Sequence, residues 1–311
     1  MLDVRRLRVL REVAAHGSFS AAAEALSYTQ SAVSQQIAAL EREAGSRLVE
    51  RSARGVRLTD AGRALVGHTD AILARLADAE DELQAIAGLR GGRLRLAAFP
   101  SACSTLMPLA VALFRERHPG VDLSLHPAEP DVGLRLLRAG EADIALSIEA
   151  TFSSRTDVDV DAITLLDDPM YIMLHRDHPM AGRARLRLVD LADDSWMIGT
   201  AGNCPDASIF LRACQAAGFE PRIAFNLDDY NAIQGFVAAG MGVSFIPDLA
   251  LIAVREDVVV RSLGARPPVR RIIATTLADS FRSPAKQAML DVLTEVSAAF
   301  GTRRTELALA S

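Results

Sequence analysis

The stretch from Ala25 to Gly45 reads ALSYTQSAVSQQIAALEREAG and carries two kinds of residue at helical spacing. Val33, Ile37 and Leu40 fall at i, i+4 and i+7 and point inward together, which turns Gln30, Ser31, Ser34, Gln35 and Ala38 elsewhere. A face meant only for solvent more usually carries Glu and Lys spaced to pair along the helix. Short side chains that both donate and accept suit a face that reads hydrogen-bonding groups. Gln makes a bidentate contact to adenine, Ser and Thr hydroxyls reach bases or phosphates, and small Ala38 permits close approach. The spacing alone also fits a solvated polar helix, so the flanking elements decide.

Upstream, Val4, Leu7, Leu10 and Val13 stand near helical spacing and Gly17 stops the helix. Ser18 or Ser20 can cap a second short helix, Ala21 to Leu26, which Ser27-Tyr28-Thr29 breaks before a third begins near Gln30. Two helices joined by a short turn, the second with a polar outward face, describe a helix-turn-helix whose second helix enters the major groove. Its candidate contacts are Ser20, Thr29, Gln30, Ser31, Ser34 and Gln35. Downstream, SRLVERSARGVRLTDAG reads as two short strands around Leu48-Val49 and Val56-Leu58, joined by a turn at Ala53-Arg54-Gly55. That is a wing, and Arg51, Arg54 and Arg57 stand where they can track a phosphate backbone.

The charge distribution agrees. Residues 1–59 hold nine arginines against six acidic residues, a balance of +3, so a chain of net charge -5 carries -8 in the remainder. A basic head on an acidic body fits a head that meets phosphate. At 311 residues, two or three domains are expected, and 50% hydrophobic with 23% charged residues is ordinary globular composition. The longest apolar run, Leu106 to Phe114, is interrupted by Pro108 and is too short for a bilayer. No secretory signal pattern opens the sequence, so a cytoplasmic protein without membrane contact is expected. Cys103, Cys204 and Cys214 make no disulfide framework and no Cys or His cluster has zinc spacing, so reduced thiols and no metal or cofactor are expected. Neither GxxxxGK[ST] nor GxSxG occurs, and the histidines are dispersed, which speaks against an enzyme.

GSFSAAAEAL, TQSAVSQQIAALEREAGSRLVER and VRLTDAGRAL together resemble the winged helix-turn-helix of the LysR-type transcriptional regulators, collinearly over about the first 65 residues. Two departures are Ser31, where many members have Pro, and Gln35, often Arg. From Asp60 to Leu89 there is no proline, and Leu65, Ile72, Ala79 and Ile86 recur every seven residues with Leu76 and Leu83 between them. The pattern favours a long helix pairing with another, with Thr69 weakening the seam. The resemblance implies a dimerising linker, a homodimer or homotetramer on double-stranded DNA, and RNA polymerase as a further partner. GLRGG, Gly88 to Gly92, reads as a hinge.

Beyond it, RLRLAAF, VDLSLHP, ADIALSI, MYIMLHR, SWMIG, RIAFN, GVSFIP and RRIIATTL read as strands alternating with helices, which implies an open, mostly parallel sheet. Such sheets place ligands outside the carboxyl ends of strands, beside helix N-termini that favour anions. Two loops qualify, Phe99-Pro100-Ser101-Ala102 and Gly199-Thr200-Ala201-Gly202-Asn203, where Ser101, Thr200 and Asn203 can bond a carboxylate or phosphate or can simply cap helices. The expected small-molecule effector therefore carries an anionic or strongly accepting group.

FRERHPGV, LRAGEADIAL and VAAGMGVSFIP resemble phrases of the same family's effector-binding domain, two α/β lobes like a periplasmic binding protein. The resemblance implies a cleft lined by the Ser101 loop, Ser147, the Thr200 to Asn203 loop and Phe245. The expected layout is a winged helix-turn-helix over 1–59, a linker helix over 60–89, a two-lobed effector domain over 90–301 and a tail over 302–311. One branch of the family senses peroxide through two cysteines. GNCPDASIFLRACQAAG has a different spacing, with Cys204 beside a helix start and Cys214 inside the helix, so a thiol switch is the alternative, and a solute-binding protein a further one.

Overall fold

The structure, a computed structural model, describes residues 1–52, 55–86, 92–149, 160–199, 205–264, 267–278 and 283–310. They form two compact units, Met1–Gly88 with Leu136–Glu141 and Leu89–Arg135 with Ala142–Ser311.

The first unit opens with three helices, α1 (Val4–His16), α2 (Phe19–Ala25) and α3 (Gln30–Ala44). Each starts at a side-chain cap: Asp3 accepts from the Arg5 amide, Ser18 from Ala21 and Thr29 from Ala32. Ser18, not Ser20, is thus the second cap. Leu7, Leu10, Val13, Phe19, Ala22, Val33, Ile37, Leu40 and Leu48 close a shared core. The hairpin β1 (Val49–Ser52) and β2 (Gly55–Leu58) pairs antiparallel, with Val49 opposite Leu58. Gly55 has φ +121°, and a Cβ there would lie 2.7 Å from the Gly17 carbonyl oxygen. That oxygen accepts the Val56 amide at 2.8 Å, so glycine lets the wing dock on the end of α1.

Helix α4 (Asp60–Ile86) follows. Its first turns serve the winged helix, since Leu65 and Val66 pack on that core. Thr69 is fully buried, its hydroxyl donating to the Leu65 carbonyl at 2.8 Å, and Leu73 is buried beside it.

The second unit contains β3 (Arg93–Ala98), α5 (Pro100–Ser104), α6 (Leu106–Arg117), β4 (Asp122–Pro127), α7 (Pro130–Arg138), β5 (Ile144–Ile148) and β6 (Val160–His175). It continues with β7 (Ser195–Ile198), α8 (Pro205–Ala216), β8 (Arg222–Asn226), α9 (Tyr230–Ala238), β9 (Val243–Pro247), β10 (Val258–Ser262), β11 (Val269–Leu277) and α10 (Pro284–Ala310). The strands run β4-β3-β5-β11-β6-β9-β7-β8, with β10 also on β6. The expected mostly parallel sheet needs correction. β3 with β4 and β5, and β7 with β8 and β9, are parallel, as βαβ units require. β11 with β5 and β6, and β6 with β9 and β10, are antiparallel.

The reason is the two-lobe layout. β6 pairs with β11 over Val160–Pro169 and then with β9 and β10 over Met170–His175, so one strand serves both lobes. The first lobe's core gathers Leu96, Phe114, Leu146, Ile272 and Leu293; the second's gathers Ile172, Trp196, Phe210 and Phe245 on one face and Met197, Val237 and Ile246 on the other. Strand β10 was not anticipated from sequence, and α10 continues through Ala310 where a tail over 302–311 was expected.

Candidate DNA-reading face and ligand cleft

On the first unit, Ser20, Thr29, Gln30, Ser31 and Gln35 are exposed and Ser34 is half-buried. Thr29 is committed to capping: its hydroxyl accepts the Ala32 amide at 3.2 Å and lies 3.0 Å from that of Ser31. Gln36, on the same helix, is instead tied to Arg6 at 3.2 Å. Arg57 is exposed on β2, opposite Glu50. Arg51 lies on β1, with its side chain outside the described residues, as is Arg54 altogether. The exposed hydroxyl and amide side chains on α3 can donate and accept, and exposed Arg57 on β2 can donate.

Along α4, Ile72, Leu76, Ala79 and Leu83 are exposed, and Leu76 is 43% and Leu83 67% exposed. These four form one stripe at i, i+4, i+7 and i+11. Leu65 belongs to the winged-helix core instead, and the side chain of Ile86 is outside the described residues.

In the second unit a cavity of about 330 Å³ opens between the lobes. Phe99, Pro100 and Ser101 line it from the first lobe with Glu129, Asp131 and Ile148; Gly199, Pro205, Asp206, Leu227, Asp228 and Tyr230 line it from the second, and Arg270 forms its floor. Ser101 stands where the sequence placed it. Ala102 is fully buried in the first-lobe core one residue too far along. Ser147 is buried on β5, and its neighbour Ile148 lines the cavity, because successive strand residues face opposite ways. Phe245 packs at 5.3 Å on Phe210 in the second-lobe core, so the expectation that it lines the cleft is corrected. Thr200 and Asn203 lie outside the described residues.

Sequence reading missed the group at the centre. Arg270 is 2% exposed, and its Nε donates to Asp168 at 2.6 Å, Nη1 to Asp206 at 2.9 Å and Nη2 to the Ser101 hydroxyl at 2.7 Å. Asp168 stands opposite Arg270 in the β6–β11 register, accepts the Leu249 amide at 3.1 Å, and is fully buried. The Tyr230 hydroxyl donates to Asp206. Burial opposes the charge on Arg270, but Asp206 and Asp168 outweigh it and hold the guanidinium protonated far above neutrality. The signal was available: within VRRIIATTL the period of two turns Arg271 outward, to Asp167 at 3.1 Å, and Arg270 inward. A charge at an inward strand position demands a buried partner.

The ground for expecting an anionic ligand is also altered. Glu129 immediately precedes α7 and Asp131 lies in its first turn, Asp206 lies in the first turn of α8, and Asp229 caps α9 behind Asp228. Carboxylates of the chain itself thus stand at the starts of α7, α8 and α9, where Asp229 accepts the Asn231 amide, and they work against an anion at those three helix ends. Burial, then Asp206, Asp228 and Asp131, push the Glu129 carboxyl above its usual range, with Arg270 opposing.

Cys214 is fully buried in α8 and burial pushes its thiol up to about 12, so it supplies no thiolate near neutrality. Cys204 is outside the described residues. Among the described residues no helix is long and apolar enough to cross a membrane.

Residues 4–63 match the family model of the bacterial regulatory helix-turn-helix protein, lysR family, and residues 87–298 match that of the LysR substrate binding domain. The chain is 31% identical to the probable HTH-type transcriptional regulator LrrA of Synechococcus elongatus, over 95% of this chain and 98% of that one. In fold it is similar to full-length CbnR complexed with its target DNA, at 24% identity and TM-score 0.65, covering 95% of this chain and all of the other. It is likewise similar to a full-length OxyR variant from Pseudomonas aeruginosa, at 23% identity and TM-score 0.70, covering 96% and 95%. A DNA-reading head and a two-lobed cleft in one chain, matched by both family models, place this protein in the LysR family of DNA-binding transcriptional regulators with a small-molecule-binding domain, which are not enzymes.

Proposed function

We propose that this regulator reads its operator through Gln30, Ser31 and Gln35 in the major groove, with Ser20, Ser34 and the wing arginines Arg51, Arg54 and Arg57 contributing to DNA contact. The observation that carries this reading is the row of exposed, bifunctional side chains on α3, with an exposed arginine on β2 of the same unit. Thr29 shapes the start of α3 as a cap. Two heads are needed for two half-sites, and the exposed stripe Ile72, Leu76, Ala79 and Leu83 is the seam that joins them. Burying a Leu or Ile side chain contributes roughly 1.5–3 kcal/mol, so three such residues from each copy supply a substantial association energy. The effector enters the inter-lobe cleft at Ser101, where closure changes how the heads are presented. The protein works in the cytoplasm and contacts RNA polymerase at its promoters. Sequencing the genomic fragments retained by the purified protein, with and without cell metabolites, tests operator reading and effector dependence together. Fragments sharing no motif would reject it.

A further inference from the structure

The floor of the cleft coincides with the join between the lobes. β6 pairs with β11 as far as Pro169 and with β9 from Met170 onward, so Asp168 stands on β6 just before that strand passes into the second lobe, with Arg270 opposite it on β11. The Met170 amide donates to the Pro268 carbonyl at 2.9 Å and closes the ladder at this point. From the fixed Asp168 pair the guanidinium reaches one helix of each lobe. Nη2 donates at 2.7 Å to the hydroxyl of Ser101 on α5, whose neighbours Phe99 and Ala102 are buried in the first-lobe core. Nη1 donates at 2.9 Å to Asp206 on α8, whose neighbours Ala207 and Phe210 are buried in the second-lobe core. The Phe99 ring backs the guanidinium, with Cζ 5.2 Å from the ring centroid. A planar guanidinium holds its nitrogens in a rigid fork, so seating Nε on Asp168 fixes the directions in which Nη1 and Nη2 find partners. The position of α5 against α8 is thereby tied to a pivot on the crossing strands. The two ends of the fork are unequal. Asp206 adds ion-pair attraction to its bond, whereas Ser101 offers a neutral oxygen and the hydrogen bond alone.

From this arrangement we infer that Arg270 is a clasp at the hinge, holding the ligand-free lobes at one angle, and that its Ser101 end is the one released when a ligand occupies the cleft. The inference rests on reading the cleft as the effector site and adds how that site is coupled to lobe movement. Ser101 lines the cavity and is the neutral grip, so a ligand that draws its hydroxyl away weakens the bond to Nη2 without unpairing either carboxylate. Release at the Asp206 end would leave a buried carboxylate short of its cation, a costlier break. One hydrogen bond of modest net strength is within what a ligand's differential contacts can outweigh. The Asp168 pair stays closed in both states, and the first lobe turns about the crossing strands.

Pulsed dipolar spectroscopy of the full-length protein tests this, with nitroxide side chains placed at the exposed positions Ala112 on α6 and Gln215 on α8, one in each lobe. Labelled chains are diluted into unlabelled ones so that only distances within one chain are read. Without ligand, Ser101→Ala should shift or broaden the distance distribution by more than about 2 Å, the scale of a domain rearrangement. Arg270→Lys should do the same, because an ammonium keeps the charge beside Asp168 but lacks the fork. Thr105→Val is the control: the Thr105 hydroxyl donates to the Ser101 carbonyl within the same stretch of chain at 2.7 Å and takes no part in the clasp, so its distribution should match the wild type. A distribution unchanged in Ser101→Ala, unchanged in folded Arg270→Lys, or moved as far by Thr105→Val would overturn the clasp, and Ser101→Ala alone decides if Arg270→Lys does not fold. A cell-metabolite extract that alters operator binding should move the wild-type distribution toward that of ligand-free Ser101→Ala; altered operator binding without that movement overturns the release. An extract with no effect on operator binding counts against the effector reading instead, and the ligand-free comparison still judges the clasp.

Discussion

Arg270→Met removes the buried guanidinium at the centre of this network while keeping much of its stem. Asp168, fully buried, then loses its 2.6 Å partner, and Asp206 loses a 2.9 Å partner. Removing one member of a buried pair costs about 3–5 kcal/mol, because the uncompensated charge remains inside. In a domain of this size each kcal/mol moves Tm by about 2–4 °C, so the effector-domain transition should fall by about 6–20 °C. Calorimetry of the full chain measures it. The pH dependence tests the cause. Burial pushes the Asp168 carboxyl up and Arg270 opposes that, so without Arg270 it climbs further. A carboxyl raised on folding destabilises once it is ionised and ceases to do so as pH falls toward its unfolded value. The deficit of the variant should therefore shrink as pH falls toward the ordinary carboxylate range. Adding Asp168→Asn and Asp206→Asn should recover part of the loss. A shift below about 2 °C, or a deficit that grows on acidification, would refute the argument that unpaired buried charge is what the network prevents.

Three further outcomes follow from the geometry. Gln35→Ala should weaken operator binding by about 1–3 kcal/mol with little effect on random DNA, whereas Arg57→Ala should weaken both and lower the salt slope by about one; fluorescence anisotropy on both DNAs over a salt series checks the division. Leu76→Asp should convert the assembly to monomer by sedimentation velocity, since a carboxylate buried in the seam would be desolvated without a partner. The Glu129 carboxyl is raised above its ordinary 4.5, first by burial and then by Asp206, Asp228 and Asp131, so stability contributed at low pH is lost as pH rises through that window. Glu129→Gln should flatten this part of the Tm–pH curve, and an unchanged curve would show that Glu129 is not the group responsible.

The recognition helix, its inward residues and the wing were legible because they obey local rules. Val33, Ile37 and Leu40 declare a buried face by period, Thr29 and Ser18 are caps by type, and Gly17 is a stop by its conformational freedom. The same locality produced the errors. Strand runs say nothing of partner direction, so in sequence the antiparallel crossing of β6 and β11 looks like more parallel sheet. Only family resemblance points Phe245 at the cleft, while its one-in, one-out position on β9 sends it into the Phe210 core. What only the tertiary structure decided is the cleft itself. Arg270 meets Asp168 from 102 positions away and Ser101 from 169, and no local pattern pairs residues at such separations. Helix N-termini could be anticipated from sequence, but that Glu129, Asp206 and Asp228 converge on one cavity depends on how two lobes fold around a shared pair of strands. Period and caps act within a few residues, whereas the sign of charge in a pocket is set by side chains that only the sheet order brings together.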